Sequence, residues 1–206
     1  MDARDQVTLE LRRNQRPLIK LAIPTFLGGA AAAPSSQGAQ GLEGTVRRDL
    51  DYSRYFEVQG PAAFGALSLS GDLSRDLPQY RALGNDILLA GDSRVEGDKV
   101  VFEGRLFDLA SGQGILAKRY RGPLSAATRI GHTFADEVIR YLTGAPGLGL
   151  TTVAFTSDRT GRKEIFLMDY DGENQRRITS HRSTSMSPAW SPKGNQIAYT
   201  SFFNGS

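Results

Sequence analysis

The pattern of apolar and polar positions changes twice along the chain. Leu18-Ile19-Lys20-Leu21-Ala22-Ile23 is a dense apolar run closed by Pro24, with the length and branching of a buried strand. Ahead of it, Val7, Leu9 and Leu11 alternate with polar residues as far as Arg16. This predicts a short edge strand with a frayed start, with a loose arm as the alternative. The small residues from Gly28 to Gly38 read as a loop. Leu42, Val46 and Leu50 then recur every four residues between charged ones, placing one apolar stripe on a helix of about three turns that packs on a sheet. Strand character returns at Tyr55–Val58, and a short helix over Leu77–Leu83 stops at Gly84, a residue type that closes helices in the left-handed conformation. Ile87–Ala90 predicts another buried strand. Val100, Phe102 and Leu106 alternate with Glu103 and Arg105, turn at Ala110–Gly114 and return through Ile115–Tyr120, giving an antiparallel hairpin with a half-exposed first strand. From Leu124 to Thr143 the period is helical, with Ile130, Phe134, Val138 and Tyr141/Leu142 on one face, Ser125 as the expected N-cap, and Gly144 and Pro146 ending the run. Strands and amphipathic helices thus predict a two-layer α/β domain over residues 1–145, followed by a linker at 146–150.

The third regime has no helical period. Short strand-like runs are separated by turn residues, and Val153-Ala154-Phe155-Thr156-Ser157 recurs as Ile197-Ala198-Tyr199-Thr200-Ser201 at a spacing of 44. Gly161 recurs at Gly205 with the same spacing. A repeat of about 40–45 residues with four short strands is the signature of a β-propeller blade. Residues 151–206 therefore predict the first blade and the start of a second in an incomplete, truncated all-β propeller. A blade buries its faces only against neighbours, so residues after about 180 are expected to pair poorly and to leave an open sheet edge.

Composition removes several function classes. The 206 residues and 39% hydrophobic content fit one or two folded domains. The net charge of +3 comes from dispersed Lys and Arg rather than a phosphate-tracking block, so no nucleic-acid partner is expected. The absence of cysteine excludes zinc fingers, iron–sulfur centres and thiol nucleophiles. No run reaches the ~18 apolar residues of a membrane-spanning helix, and Met1–Asp5 shows no secretory leader, so the protein is either cytosolic or has had its leader removed.

Candidate chemistry is sparse, and neither a cofactor nor a metal is expected. His132 has Asp136 and Glu137 one turn along its helix, an arrangement that supports a helix or a contact between domains rather than catalysis. His181 lies in a Ser/Thr-rich loop. Asp169, Asp171, Glu173 and Asn174 offer oxygen ligands, but the glycine falls in the wrong place for a calcium loop, which favours an Asp-Gly hairpin turn. Trp190, between two Ser-Pro pairs, is expected to wedge between blades. No G-x-S-x-G elbow is present.

Three segments converge on a family. Met186-Ser187-Pro188-Ala189-Trp190-Ser191-Pro192-Lys193-Gly194-Asn195-Gln196-Ile197-Ala198-Tyr199 resembles the repeat signature of TolB-type propellers, with Lys193 where Asp is usual. Gly131–Val138 followed by Leu142-Thr143-Gly144 is similar to the last helix of the TolB N-terminal domain, and Asp169–Asn174 to its first-blade turn. The resemblance implies a periplasmic, non-enzymatic component of the Tol–Pal envelope system, acting in envelope integrity and cell division. Its expected partners are the lipoprotein Pal, docked mainly on blades beyond this chain, and TolA, reached through the N-terminal segment. The residues this assigns to partner binding are Val7, Leu9 and Leu11 in the arm, and Ser185 and Met186 at the mouth of the propeller channel. The alternative is the propeller-bearing front of a serine peptidase whose catalytic domain lies elsewhere.

Overall fold

Strand β1 (Ile19–Ala22) lies inside a five-stranded sheet because its apolar run is wanted on both faces: Leu21 and Ile23 point to one core, Ala22 to the other. The computed structural model describes residues 17–27, 41–181 and 183–203. The predicted arm carrying Val7, Leu9 and Leu11 and the loop at 28–38 lie outside the described residues. Strand β1 runs parallel to β2 (Phe56–Gln59) and to β3 (Ile87–Glu96), and β3, β4 (Lys99–Asp108) and β5 (Gln113–Pro123) continue as an antiparallel meander, in the order β2-β1-β3-β4-β5.

Helices α1 (Leu42–Tyr52) and α3 (Ala127–Thr143) pack together on one face of this sheet. As the stripe predicted, Leu42, Val46 and Leu50 are all buried, and so are Ile130, Phe134, Val138 and Ile139 of α3. Of the expected Tyr141/Leu142 pair, Leu142 packs against the core and Tyr141 stands 52% exposed, so the stripe continues to the last turn through Leu142. The centre of the core is aromatic: Phe102 has its ring centroid 5.5 Å from that of Phe26 and 5.1 Å from that of Phe134. Phe134 fits because β4 carries Gly104 beneath it, where any Cβ would overlap the ring. Helix α2 (Leu73–Ala82) covers part of the opposite face, where Leu77 and Tyr80 meet Ala22, Leu88 and Phe64.

Two local expectations need correction. Ser125 does not cap α3: Leu124–Ala126 form a 3-10 turn, Ala126 is the capping position, and no side chain caps it. The extended backbone of Pro123 leads straight into that tighter turn and places Ser125 within it. Strand β3 also runs six residues past the apolar Ile87–Ala90, because it pairs with β4 at every position from Ile87↔Asp108 to Glu96↔Lys99.

Beyond α3 the structure is all β, as expected of an unclosed propeller. Strands β6 (Thr152–Ser157), β7 (Glu164–Asp169) and β8 (Arg176–Arg177) form one antiparallel sheet, and β9 (Ser185–Trp190) and β10 (Ile197–Ser201) form a second that packs on β6 and β7. The tail is better paired than expected. Besides the β9–β10 ladder, the Ser185 amide donates to the Lys163 carbonyl at 2.7 Å and the Phe202 amide to that of Thr184 at 3.0 Å. Trp190, expected in a core, is 39% exposed at the end of β9, where no further sheet stands beside it among the described residues.

Candidate functional site

The most concentrated chemistry lies where α1, α3 and the β7–β8 turn meet. Gly131 of α3 faces Thr45 of α1, and a Cβ there would come within 3.0 Å of the threonine side chain, so the two helix backbones approach closely. That approach brings the next residue, His132, against Asp49. His132 Nδ1 lies 2.5 Å from Asp49 Oδ2, and Nε2 lies 3.5 Å from Asp171 Oδ2. Arg48 Nη2 donates to the same Asp171 oxygen at 2.9 Å. The side chains of Asp49 and Asp171 are 2% and 1% exposed, a burial that charged groups tolerate only when paired. Arg48 Nε and Asp49 Oδ1 are buried with no hydrogen-bond partner among the described residues.

The sequence pointed to His132 but to the wrong acid. Asp136, one turn along α3, accepts the Gly149 amide at 2.9 Å. This pins the 144–151 segment to the helix, and the segment lies so close that a Cβ on Gly149 would sit 2.7 Å from Asp49 Oδ2. Asp171 reaches the cluster because it heads a tight turn. Gly172 and Asn174 have φ of +86° and +52°, the Glu173 amide donates to Asp171 Oδ1 at 3.0 Å, and Asn174 Nδ2 donates to Asp169 Oδ2 at 2.6 Å. The Asp-Gly hairpin reading of this stretch holds. Asp169 is engaged within the turn and Asp171 with Arg48 and His132, and no group of three or more His, Cys, Asp or Glu among the described residues is placed to hold a metal.

Electrostatics favour a charged imidazole. Burial pushes the His132 pKa down, but the hydrogen bond and charge of Asp49 and the charge of Asp171 outweigh burial and the opposing Arg48, leaving it above its ordinary value of 6.5. Both ring nitrogens of the imidazole face carboxylates, so the contacts tie α3 to α1 and to the β7–β8 turn.

The other singled-out residues stand apart from it. Ser185 is completely buried at the start of β9, and its hydroxyl has no partner among the described residues. Met186 is half-buried beside it, paired in register with Thr200. His181, from the Ser/Thr-rich loop, lies 3.0 Å from the Tyr199 hydroxyl through Nε2 and stacks on that ring. A groove of about 570 Å³ between α1 and the β2 end of the five-stranded sheet is lined by Gly44, Arg47, Arg48, Asp51, Tyr52, Val58 and Gly60.

The family model described as the TolB amino-terminal domain matches residues 7–115, and that of the TolB beta propeller domain matches residues 139–206. The Tol-Pal system protein TolB of Geobacter sulfurreducens is 37% identical over 174 residues, covering 84% of this chain and 40% of the relative. Its counterpart in Desulfosudis oleivorans is 34% identical over 193 residues, covering 91% and 43%. The crystal structure of TolB from Acinetobacter baumannii shares the fold with a TM-score of 0.70 at 24% identity, covering 91% of this chain and 45% of that one. The chain thus spans less than half the length of these relatives, the two curated ones being named as Tol-Pal system proteins and not as peptidases.

Proposed function

The chain belongs to the TolB family, and from that membership we propose that it is a non-enzymatic adaptor of the periplasm, docking Pal and TolA to maintain the cell envelope and support division. The observation that carries this reading is the order of the two matched modules on one chain, the N-terminal domain and then the propeller. In the same reading the chain divides into a domain at 1–145, a connection at 146–150 and the first blade with the start of a second at 151–206. No helix among the described residues is long and apolar enough to cross a membrane.

Within the adaptor, Val7, Leu9 and Leu11 form the segment offered to TolA as an added strand, and Ser185 and Met186 mark the mouth of the Pal-binding channel. Ser185 contributes by shaping the start of β9, since its side chain is buried; Met186 is the residue with surface to offer. Most of the Pal surface lies on further blades. Immobilised chain is therefore expected to retain purified TolA and to lose it when residues 1–16 are deleted, and to leave Pal unbound under conditions in which the full-length Geobacter sulfurreducens relative captures it. Tight Pal binding by this chain alone would place the interface elsewhere.

A further inference from the structure

Two carboxylates address the two ring nitrogens of one buried histidine, and they come from opposite sides of a domain junction. Asp49 belongs to the sheet-and-helix domain; Asp171 belongs to the first blade. A neutral imidazole carries a single N–H. If Asp49 receives it, Asp171 faces a bare nitrogen lone pair, and if Asp171 receives it, Asp49 does. Only the imidazolium serves both.

The charge count agrees with the geometry. With His132 protonated, two cations (His132, Arg48) balance two anions (Asp49, Asp171), whereas loss of the proton leaves one uncompensated negative charge among groups almost out of solvent. The charged groups facing the ring are Asp49 and Arg48 from α1 and Asp171 from the turn. On its own helix Asp136 is turned to the Gly149 amide, and the 144–151 segment presents Gly149 to Asp49 and the His132 Cβ.

We propose that His132 is a proton-operated latch between the N-terminal domain and the first blade. Protonated, it grips Asp171 and holds the 169–174 turn against α1 and α3; deprotonated, it releases that carboxylate and leaves Arg48 as its one charged partner. A histidine whose folded pKa is raised contributes its stabilisation in full below the unfolded value near 6.5 and loses it as the pH climbs through the folded value. The junction is accordingly closed in mild acid and loosened in mild base. In the adaptor reading, on which only its biological use rests, the latch sets how firmly the partner-binding blade follows the N-terminal domain.

The chain contains no cysteine, so a pair introduced at exposed Ser74 on α2 and Thr160 on the β6–β7 turn labels cleanly. Time-resolved energy transfer between the two labels, followed from pH 6 to pH 9, is expected to give one narrow distance that broadens with the same midpoint at which the His132 imidazole titrates by NMR. In Asp171→Asn the distance becomes independent of pH and the His132 midpoint falls by about one pH unit. A His132 midpoint at or below 6.5, or a distance unchanged while His132 loses its proton, overturns the latch. Both readouts in the unsubstituted protein decide the matter even if the variant fails to fold. Neither involves Pal or TolA, so failure of the latch and failure of the adaptor reading are separately visible.

Discussion

Asp49 shows how much one side chain carries at this junction. It is buried, it holds the Nδ1 side of His132, and Gly149 is packed against it. Asp49→Ala strands the imidazolium without its closest partner, and breaking a buried pair from one side costs about 3–5 kcal/mol. Urea unfolding at pH 6 should show that loss. At a pH above the folded His132 value the penalty should shrink, because the neutral ring no longer needs the charge. Gly104→Ala should be similarly severe for a different reason: the added methyl lands in the Phe134 ring, which is itself fully buried and has no space to retreat, and overpacking of this kind costs about 1–3 kcal/mol or more. Neither effect was legible in the sequence. Spacing arguments see neighbours one turn away, which is why Asp136 stood out beside His132, while the true partners lie 83 and 39 positions off and are brought in only by helix packing and by the hairpin turn.

Elements were far more readable than their partners. The apolar stripes of α1 and α3 and the runs of β1 and β2 are dictated by burial on one or both faces, and periodicity reports burial directly. Where pairing rather than burial defines an element, the sequence was mute: the polar half of β3 is strand only because β4 lies alongside it. Helix α2 illustrates local chemistry that compensates for a poor interior, since Pro78 removes one backbone donor from its middle. Its start is held firmly in return. Asp72 caps it by accepting the Ser74 amide at 3.0 Å, and Asp76 accepts the Ser70 and Gly71 amides, bonds that draw its carboxyl below the usual range against a partly opposing burial. Asp72→Ala is expected to cost about 1 kcal/mol, read as a lowered midpoint in thermal or urea unfolding followed by circular dichroism.

For the whole molecule, the question is whether its two parts fold as one. Among the described residues all three α-helices lie in the N-terminal domain, and the only tryptophan of the sequence, Trp190, lies in the propeller part, so far-ultraviolet circular dichroism and tryptophan fluorescence report the two parts separately. The junction between them includes the His132 cluster and the Arg48–Asp171 ion pair, and the Asp136–Gly149 bond ties the connecting segment to α3. Only the first of these contains a histidine, whose pKa lies above its ordinary value. With the imidazolium in place the blade gains a buried, balanced charge cluster it cannot supply itself, and the two signals should fall together in urea at pH 6. As the pH rises through the folded His132 value that stabilisation disappears, so the fluorescence transition should move to lower urea than the circular-dichroism transition, the blade opening first because its own sheets are small and Trp190 is already 39% exposed. Coincident transitions at both pH values would mean that the remaining contacts suffice to couple the parts without the proton.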